Sequence, residues 1–539
     1  MERECYIIVQ AMQSASKLSI QALNPGTKPE LPTKVDNQTQ EQSLLNVQIT
    51  ALYQKILIIV ALILIVVTLS RREHIVTILV KRLHSTKLYM RKGVVCMFNK
   101  KWTILLLTWC LALIAAGCGS AGSDPGGEGS GSNEGDKVTV NFMHLWPAGV
   151  SAGQNKIVNQ IIEEYQKEHP NVTIKQEVLD NEQYKNKLKV LSASNELPDV
   201  GVTWAAGFLK PYVEGGLFTP LDDLLAGELN GKFVAGTTEA YAVDGKTYAL
   251  PLEFNIAPVY YNKAIFEQYG VKVPETYDQF KSVVKTLADQ GMAPIALGNK
   301  DRWTGSLWYM YLADRLGGQE TLAGAIQGKN SFKDPALLQA AAEVQGLVDM
   351  NAFVKGFNGL SNEEAKSEFL NGKAAMYMMG TWELPNFTTN EEIPQQFRDS
   401  VGFFKFPAAP GGKGDINSWV GGPGVGLFIS ESSKVKEEAE KFVEYFVSKW
   451  GEQSVTGAGV IPATKVNTDT LELPPLYIEL FEEMNQASSV TLFADVQMEA
   501  SAAETHLNMI QALFGKAATP EKFSEEHDAA IAKSNSGQQ

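Results

Sequence analysis

Beyond residue 137, the spacing between successive apolar residues changes along the chain. Residues 138–142 and 172–178 alternate apolar and polar side chains, as half-buried strands do. Between them, apolar residues from Ile157 to Tyr165 recur at helical spacing until Pro170 ends the pattern. Strand, amphipathic helix and strand at this length predict a βαβ unit, the building block of parallel sheets covered by helices.

The same alternation of strands and helices continues toward the C-terminus. It predicts an α/β protein throughout, because runs of period two keep giving way to runs of helical period. The further predicted strands are 199–204 and 294–297, and the further predicted helices are 263–269, 277–290, 336–350, 434–448 and 502–514.

A targeting signal precedes this body. Lys100 and Lys101 are followed by an apolar run and then by small residues up to Cys118, which is typical of a cleaved secretory signal at 97–117. Residues 113–118, Leu-Ile-Ala-Ala-Gly-Cys, resemble the lipobox of bacterial lipoproteins, in which the cysteine is lipidated and becomes the mature N-terminus. Two acyl chains on Cys118 would give stable membrane attachment. The alternative is a buried thiol in an apolar helix.

Residues 1–96 do not fit this scheme, because a cleavable signal is expected at the N-terminus. We interpret them as a non-native N-terminal extension and expect translation to start at Met97. Residues 118–137 contain the lipidated cysteine and a Gly- and Ser-rich stretch, which predicts a flexible tether of roughly 20 to 25 Å between membrane and body.

Composition excludes several classes of function. Beyond Cys118 the chain has 33 Lys and Arg against 55 Asp and Glu, a net charge of −22, which argues against a nucleic-acid partner. All four cysteines lie at or before Cys118, so the body can form no internal disulfide or thiolate metal site. Its four histidines are not spaced as metal-ligand pairs, and we predict neither a metal nor a cofactor.

Tryptophans are the candidate binding residues. Trp146 and Trp204 each follow a predicted strand, and ligands of open parallel sheets bind outside the carboxyl ends of strands. An indole can stack on the apolar face of a pyranose, while the sugar hydroxyls need polar partners around it. The alternative for each tryptophan is the hydrophobic core, and for Trp450 and Trp308 we favour the core.

The chain resembles the carbohydrate-type extracellular solute-binding proteins of bacterial ABC importers over nearly all of residues 138–535. No single motif is specific, but six occur in the order of the family. These motifs are Pro198-Asp199 with Trp204, Tyr248 to Pro251 leading to Tyr261-Asn262-Lys263, Pro274-Glu275-Thr276, Phe369 to Met376 with Gly380-Thr381-Trp382, Gly421 to Gly424, and Ile461 to Thr464.

The resemblance implies a two-lobed periplasmic-binding-protein-like (type II) fold, with a ligand cleft between discontinuous α/β lobes. By analogy, residues 138–250 and 419–465 form the first lobe and residues 251–418 and 466–539 the second, joined by crossings near 251–255, near Trp419 and after Thr464. The ligand-binding residues implied by position are Trp146, Trp204, Glu253, Asn255, Trp303, Trp382 and Trp419, with Asp301, Arg302 and Glu383 as weaker polar candidates.

The function implied is an oligosaccharide receptor rather than an enzyme. It would work as a monomer on the extracellular face of the cytoplasmic membrane, where it would deliver sugar to the permease subunits of an ABC transporter by closure of the cleft. Two alternatives remain open at this point. A lipid-anchored glycoside hydrolase would also use tryptophans and paired carboxylates, and a sugar sensor would pass its signal to a membrane protein.

Overall fold

The computed structural model describes residues 137–468 and 470–536, and all of the following concerns these residues. Cys118, the signal and the tether therefore lie outside the described part of the chain. The strands are β1 Val138–His144, β2 Val172–Val178, β3 Val200–Trp204, β4 Ala242–Val243, β5 Lys246–Thr247, β6 Leu250–Pro251, β7 Phe254–Ile256, β8 Val259–Asn262, β9 Ala293–Ala296, β10 Ala374–Met378, β11 Val401–Phe404, β12 Ser418–Pro423, β13 Val425–Ile429 and β14 Ser489–Thr491.

The helices fill most of the connections between these strands. They are α1 Ala152–Glu168, α2 Asn181–Ser194, α3 Ala206–Glu214, α4 Asp222–Ala226, α5 Lys263–Gln268, α6 Tyr277–Asp289, α7 Trp303–Gly317, α8 Gln319–Ile326, α9 Pro335–Asp349, α10 Asn362–Leu370, α11 Leu384–Phe387, α12 Gln395–Ser400, α13 Lys436–Ala458, α14 Pro475–Asn485, α15 Ala494–Gln497, α16 Ala500–Phe514 and α17 Pro520–Asn535, with short 3₁₀ turns at Glu239–Tyr241 and Thr381–Glu383.

The predicted βαβ unit is confirmed. β1 pairs in parallel with β2 along its whole length, from Val138 opposite Val172 to His144 opposite Val178, and α1 connects them. The predicted strands and helices farther along the chain are confirmed within two residues at nearly every end. The exception is α13, which continues ten residues past its predicted end because Trp450 and Val455 extend its buried face.

Three sheets organise the fold. The first has the order β2-β1-β3-β13-β6, in which β13 runs antiparallel to both of its neighbours. The second has the order β11-β8-β10-β9, and a third, small sheet has the order β14-β12-β7. β6, β7 and β8 follow one another within residues 250–262 yet belong to three different sheets, and β12 runs through Gly424 directly into β13.

Two hydrophobic cores accompany the larger sheets. The first contains Phe142, Phe428 and Phe446 and draws on residues 140–252 and 425–463, with Val496 added. The second contains Trp308 and Phe406 and draws mainly on residues 256–420 and 477–531. Each core is therefore assembled from chain segments that are distant in sequence.

A buried hydrogen-bonded chain ties the C-terminal helices to α7. His527 Nδ1 donates to the carbonyl oxygen of Phe523 at 2.7 Å, so its Nε2 accepts from His506 Nδ1 at 2.8 Å. His506 Nε2 then accepts from the Ser306 hydroxyl at 2.6 Å. Both imidazoles must be neutral for this pattern, and burial lowers the pKa of His527 to about 4 and that of His506 well below its usual value.

Acid should therefore destabilise the fold through these histidines. The unfolded chain takes up protons near pH 6.5, whereas the folded chain resists them down to about pH 4, so stability is full above about pH 6.5 and falls below it. His527 alone should cost roughly 2 kcal/mol by pH 5. His527→Phe should reduce the slope of thermal midpoint against pH between pH 7 and 5, measured by circular dichroism.

Parallel pH profiles for His527→Phe and the wild type would contradict the prediction.

Candidate functional site

Three of the predicted tryptophans come together where elements of the two cores meet. Trp204 is the last residue of β3, Trp303 is the first residue of α7, and Trp382 lies in the 3₁₀ turn that follows β10. All three indoles are half-buried. The rings of Trp303 and Trp382 meet edge to face with centroids 6.0 Å apart, while the ammonium of Lys185 lies 4.8 Å from the Trp204 ring and 5.9 Å from the Trp303 ring.

Direct contacts cross from one core to the other around this site. The side chain of Gln154 in α1 donates to the carbonyl oxygen of Trp382 at 3.1 Å, and Lys210 in α3 pairs with Glu499 at 2.6 Å. Gly207 allows the closest approach, because a Cβ there would lie 2.2 Å from the Met498 carbonyl oxygen. These contacts describe an arrangement in which the two lobes touch beside the tryptophans.

Glu253 and Asn255 lie in the segment that crosses between the sheets. Glu253 is only 5% exposed, and burial raises its pKa to about 7 although Asn255 and the Val425 backbone lower it. Asn255 is buried, and its Oδ1 accepts from the Thr381 hydroxyl at 2.9 Å. Since Thr381 precedes Trp382, the crossing segment is hydrogen-bonded to the turn that carries an indole.

A buried ion cluster holds the same turn through Glu383. Glu383 follows Trp382, and its carboxylate lies 3.0 Å from the Lys366 ammonium, which also pairs with Glu363 at 2.9 Å. Burial alone would lower the pKa of Lys366, but the two carboxylates outweigh burial and raise it. Asn386 donates a further hydrogen bond to Glu383 at 2.7 Å. Glu383 thus helps to position the turn, and its contact with a ligand stays a prediction.

Asp301 and Arg302 are the two residues that precede α7. Asp301 accepts a hydrogen bond of 2.7 Å from the Asn362 backbone at the start of α10. Arg302 adopts φ 67° and ψ −45°, a conformation that costs a non-glycine residue about 1 to 3 kcal/mol. Its guanidinium donates to Glu504 and Asn508, both at 2.7 Å. These bonds hold the strained residue that precedes Trp303.

Trp146 and Trp419 are placed differently. Trp146 is 3% exposed and packs on Trp450 with ring centroids 5.2 Å apart, and Trp419 is 2% exposed in the second core. In this arrangement both belong to the hydrophobic interior, and their contact with a ligand stays a prediction. Trp450 and Trp308 are buried, as the sequence predicted.

Sequence reasoning missed several residues of the site. Lys185 and Gln154 carry no motif, and only the tertiary arrangement places them here. Phe493 contacts Trp382 with ring centroids 5.8 Å apart. Phe493 belongs to none of the motifs named from the sequence, so it too was missed.

Other kinds of site find little support in the described residues. No group of His, Cys, Asp and Glu side chains in the ranges 137–468 and 470–536 could hold a metal ion. Within the same ranges, every helix is too short or too polar to cross a membrane.

Comparison with known proteins identifies the family of this chain. The family model described as bacterial extracellular solute-binding protein matches residues 149–452, more than half of the sequence. The chain belongs to this family. Its members are binding proteins, so the hydrolase alternative does not describe this solute-binding protein.

Solved structures extend the comparison to the fold. One, reported with xylan utilization by the thermophilic bacterium Caldanaerobius polysaccharolyticus, is 34% identical and covers 73% of this chain and 100% of its own, with a TM-score of 0.69. A chitin oligosaccharide binding protein is 26% identical, with coverages of 75% and 100% and a TM-score of 0.69. The two-lobed α/β fold expected from the sequence is thereby confirmed.

A curated relative gives the same family by sequence. The multiple sugar-binding protein of Streptococcus mutans is 27% identical over 320 residues, which are 58% of this chain and 72% of the relative.

The buried ion cluster leads to a stability prediction for this solute-binding protein. Lys366→Met would leave Glu383 and Glu363 without their cation, and breaking a buried pair in this way costs about 3 to 5 kcal/mol. Urea unfolding followed by circular dichroism should measure that loss.

Lys373→Met is the matched control. Lys373 pairs with Glu368 near the end of the same helix, but its side chain is 62% exposed, so the loss should stay below about 1 kcal/mol. Equal losses in the two variants would contradict a structural role for the buried pair.

Proposed function

We propose that this protein captures an oligosaccharide between its lobes and delivers it to the membrane permease of an ABC importer. The observation that supports this most is the meeting of Trp204, Trp303 and Trp382, which come from three separate elements, at one face. Indoles left half-buried at the junction of two lobes offer flat apolar surfaces to a ligand that both lobes can touch.

The chemistry of a sugar fits this surface. A pyranose has a C–H face that packs on an aromatic ring and hydroxyls that need hydrogen-bonding partners, since an unpaired buried hydroxyl costs about 1 to 3 kcal/mol. Polar side chains around the indoles supply such partners: Asp301 precedes Arg302 and Trp303, and Asp495 follows Phe493. We propose these two carboxylates as acceptors of ligand hydroxyls.

The comparisons support a choice of sugar type. The structure reported with xylan utilization is 34% identical over its whole length, which makes xylo-oligosaccharides the ligand we propose first. Chitin oligosaccharides and the mixed sugars of the Streptococcus mutans relative are the next choices.

Closure of the lobes would carry the signal to the importer. A ligand that touches Trp204 on one lobe and Trp303 and Trp382 on the other binds the closed form better than the open form, so it shifts the population toward closure. In this proposal the permease recognises the closed shape of a monomer. A membrane sensor could recognise the same shape, and reconstituted transport distinguishes the two partners.

We also propose that Cys118 is lipidated and that the body stays on the extracellular face of the cytoplasmic membrane. The support is the sequence before Cys118 and the flexible stretch after it. The crossings near 251–255, Trp419 and Thr464 are proposed as the lobe boundaries, in keeping with strands that change sheets within residues 250–262 and 418–429.

The ligand proposal is tested by thermal shift with xylotetraose, maltotetraose, chitotetraose and raffinose. Xylotetraose should raise the unfolding temperature most, and the stabilisation should grow with concentration, reaching about 2.7 kcal/mol at 100 times the dissociation constant. No shift with any of the four sugars would contradict an oligosaccharide receptor. Release of reducing ends during incubation would contradict a binding protein.

The Trp382→Ala variant tests whether the sugar binds at the three tryptophans. Loss of a central aromatic contact should weaken xylotetraose binding roughly tenfold to hundredfold in calorimetry. Tyr445→Ala, a half-buried aromatic on α13 that hydrogen-bonds Glu168, should leave affinity unchanged. Unchanged affinity in Trp382→Ala would contradict the assigned cleft.

Lipidation is tested by metabolic labelling of cells that express the full chain with an alkyne fatty acid. Cys118→Ser should abolish the label, because the thioether cannot form without the thiol. Cys110→Ser changes a cysteine within the apolar run and should keep the label. Label that persists in Cys118→Ser would contradict the anchor.

A further inference from the structure

Lys185 occupies an unusual place for a lysine. It lies on α2 in the first lobe, and its side chain is only 23% exposed. Its ammonium is 4.8 Å from the ring centroid of Trp204 and 5.9 Å from that of Trp303, so it contacts indoles of both lobes. Both distances fall within the range of about 6 Å over which a cation is attracted to an aromatic face.

The ammonium sets an upper limit on the distance between the two indoles. Since the ammonium lies within contact of both, the two centroids can be no more than 10.7 Å apart, the sum of the two distances. A pyranose packed at about 4 Å from each of two aromatic faces needs a gap of roughly 8 Å. A gap of that size lies within the 10.7 Å bound, and the ammonium is in contact with both rings that would border it.

Carboxylates surround the same ammonium. Glu182 lies 3.5 Å from it, one turn away on α2. Burial raises the pKa of Asp301 and of Asp495, and the charge of Lys185 opposes that rise in both, while Glu182 adds to it. The lysine thus compensates acidic groups from α2, from the start of α7 and from α15. A ligand that displaces it must offer these carboxylates other hydrogen-bond donors, and sugar hydroxyls are such donors.

We propose that Lys185 is an internal occupant of the sugar cleft, whose ammonium lies between Trp204 and Trp303 until a ligand pyranose displaces it. The inference rests on the proposed function and adds a regulation of the same site. The ammonium then covers part of both indoles while the ligand-free lobes touch. It also lowers the apparent affinity, because sugar binding must first break the contacts of the ammonium.

A lysine that helped to bind the sugar would behave in the opposite way. Its removal would cost the ligand a hydrogen bond and weaken binding, whereas removal of a competitor strengthens binding. The sign of the change in affinity therefore distinguishes an occupant from a ligand-contacting residue.

The test is Lys185→Met, which keeps the length and apolar stem of the side chain but removes the ammonium. Calorimetry with xylotetraose should give a dissociation constant about twofold to tenfold lower than that of the wild type. Lys187→Met is the matched control, since Lys187 lies on the same helix, pairs with Glu177 and is more exposed; its dissociation constant should equal that of the wild type.

A second measurement needs no ligand. A pair of spin labels, one on each lobe, should report a wider distance in ligand-free Lys185→Met than in the wild type, and no change in Lys187→Met. Unchanged or weaker sugar affinity in Lys185→Met overturns the inference. If no sugar binds even the wild type, the proposed function fails, and an unchanged interlobe distance in Lys185→Met then overturns the inference independently.

Discussion

The burial of α7 is the constraint on which the site depends. Twelve consecutive residues of this helix, from Thr304 to Arg315, are buried, so every polar group on it needs a partner inside the protein. Thr304 donates to the Gly298 carbonyl, Tyr311 donates to the Ala257 carbonyl, and Arg315 donates to the carbonyls of Phe406 and Ser418. A helix fixed on all sides presents its first residue, Trp303, in one position.

The turn that carries Trp382 is held just as firmly, but by the segment that crosses between the lobes. Thr381 bonds to Asn255 and to the Ile256 backbone, and Glu383 bonds to Lys366. A change of lobe orientation at the crossing therefore reaches an indole through two hydrogen bonds. Trp204, in contrast, is the last residue of β3 and therefore moves with the sheet of the first lobe. The cleft is thus made of rigid parts whose relative position can change without loss of their internal geometry.

The sequence predicted those helices that have one buried face and one exposed face. α1 and α6 have clear apolar stripes, and α6 adds the capping box of Thr276 and Gln279, so their bounds could be read closely. The bounds of α7 could not be predicted, because a helix buried on nearly all sides has no apolar stripe. Trp146 and Trp204 both follow strands and looked equivalent. Only the packing of Trp146 on Trp450, a contact across 304 positions, separates the two, and no local pattern encodes it.

Lys185 illustrates the same limit within the site. The sequence did not predict α2, on which Lys185 lies, and the neighbours Trp303 and Asp495 come from segments more than 100 positions away. Long-range juxtapositions of this kind depend on the order of strands in the sheets, which hydrophobic periodicity leaves undetermined. The family resemblance supplied the division into two discontinuous lobes, which periodicity could not.

The interleaving of the two cores has a consequence for how the chain folds. The first sheet needs β13, more than 200 positions beyond β3, and the second core needs helices that end near residue 535. Closing such long loops before their contacts form is entropically costly, and folding slows as contacts become more distant in sequence. Neither lobe can be completed from a nascent N-terminal half. The protein should therefore remain unfolded until nearly all of its body has been synthesised, which is the state in which a chain can be threaded through a membrane pore.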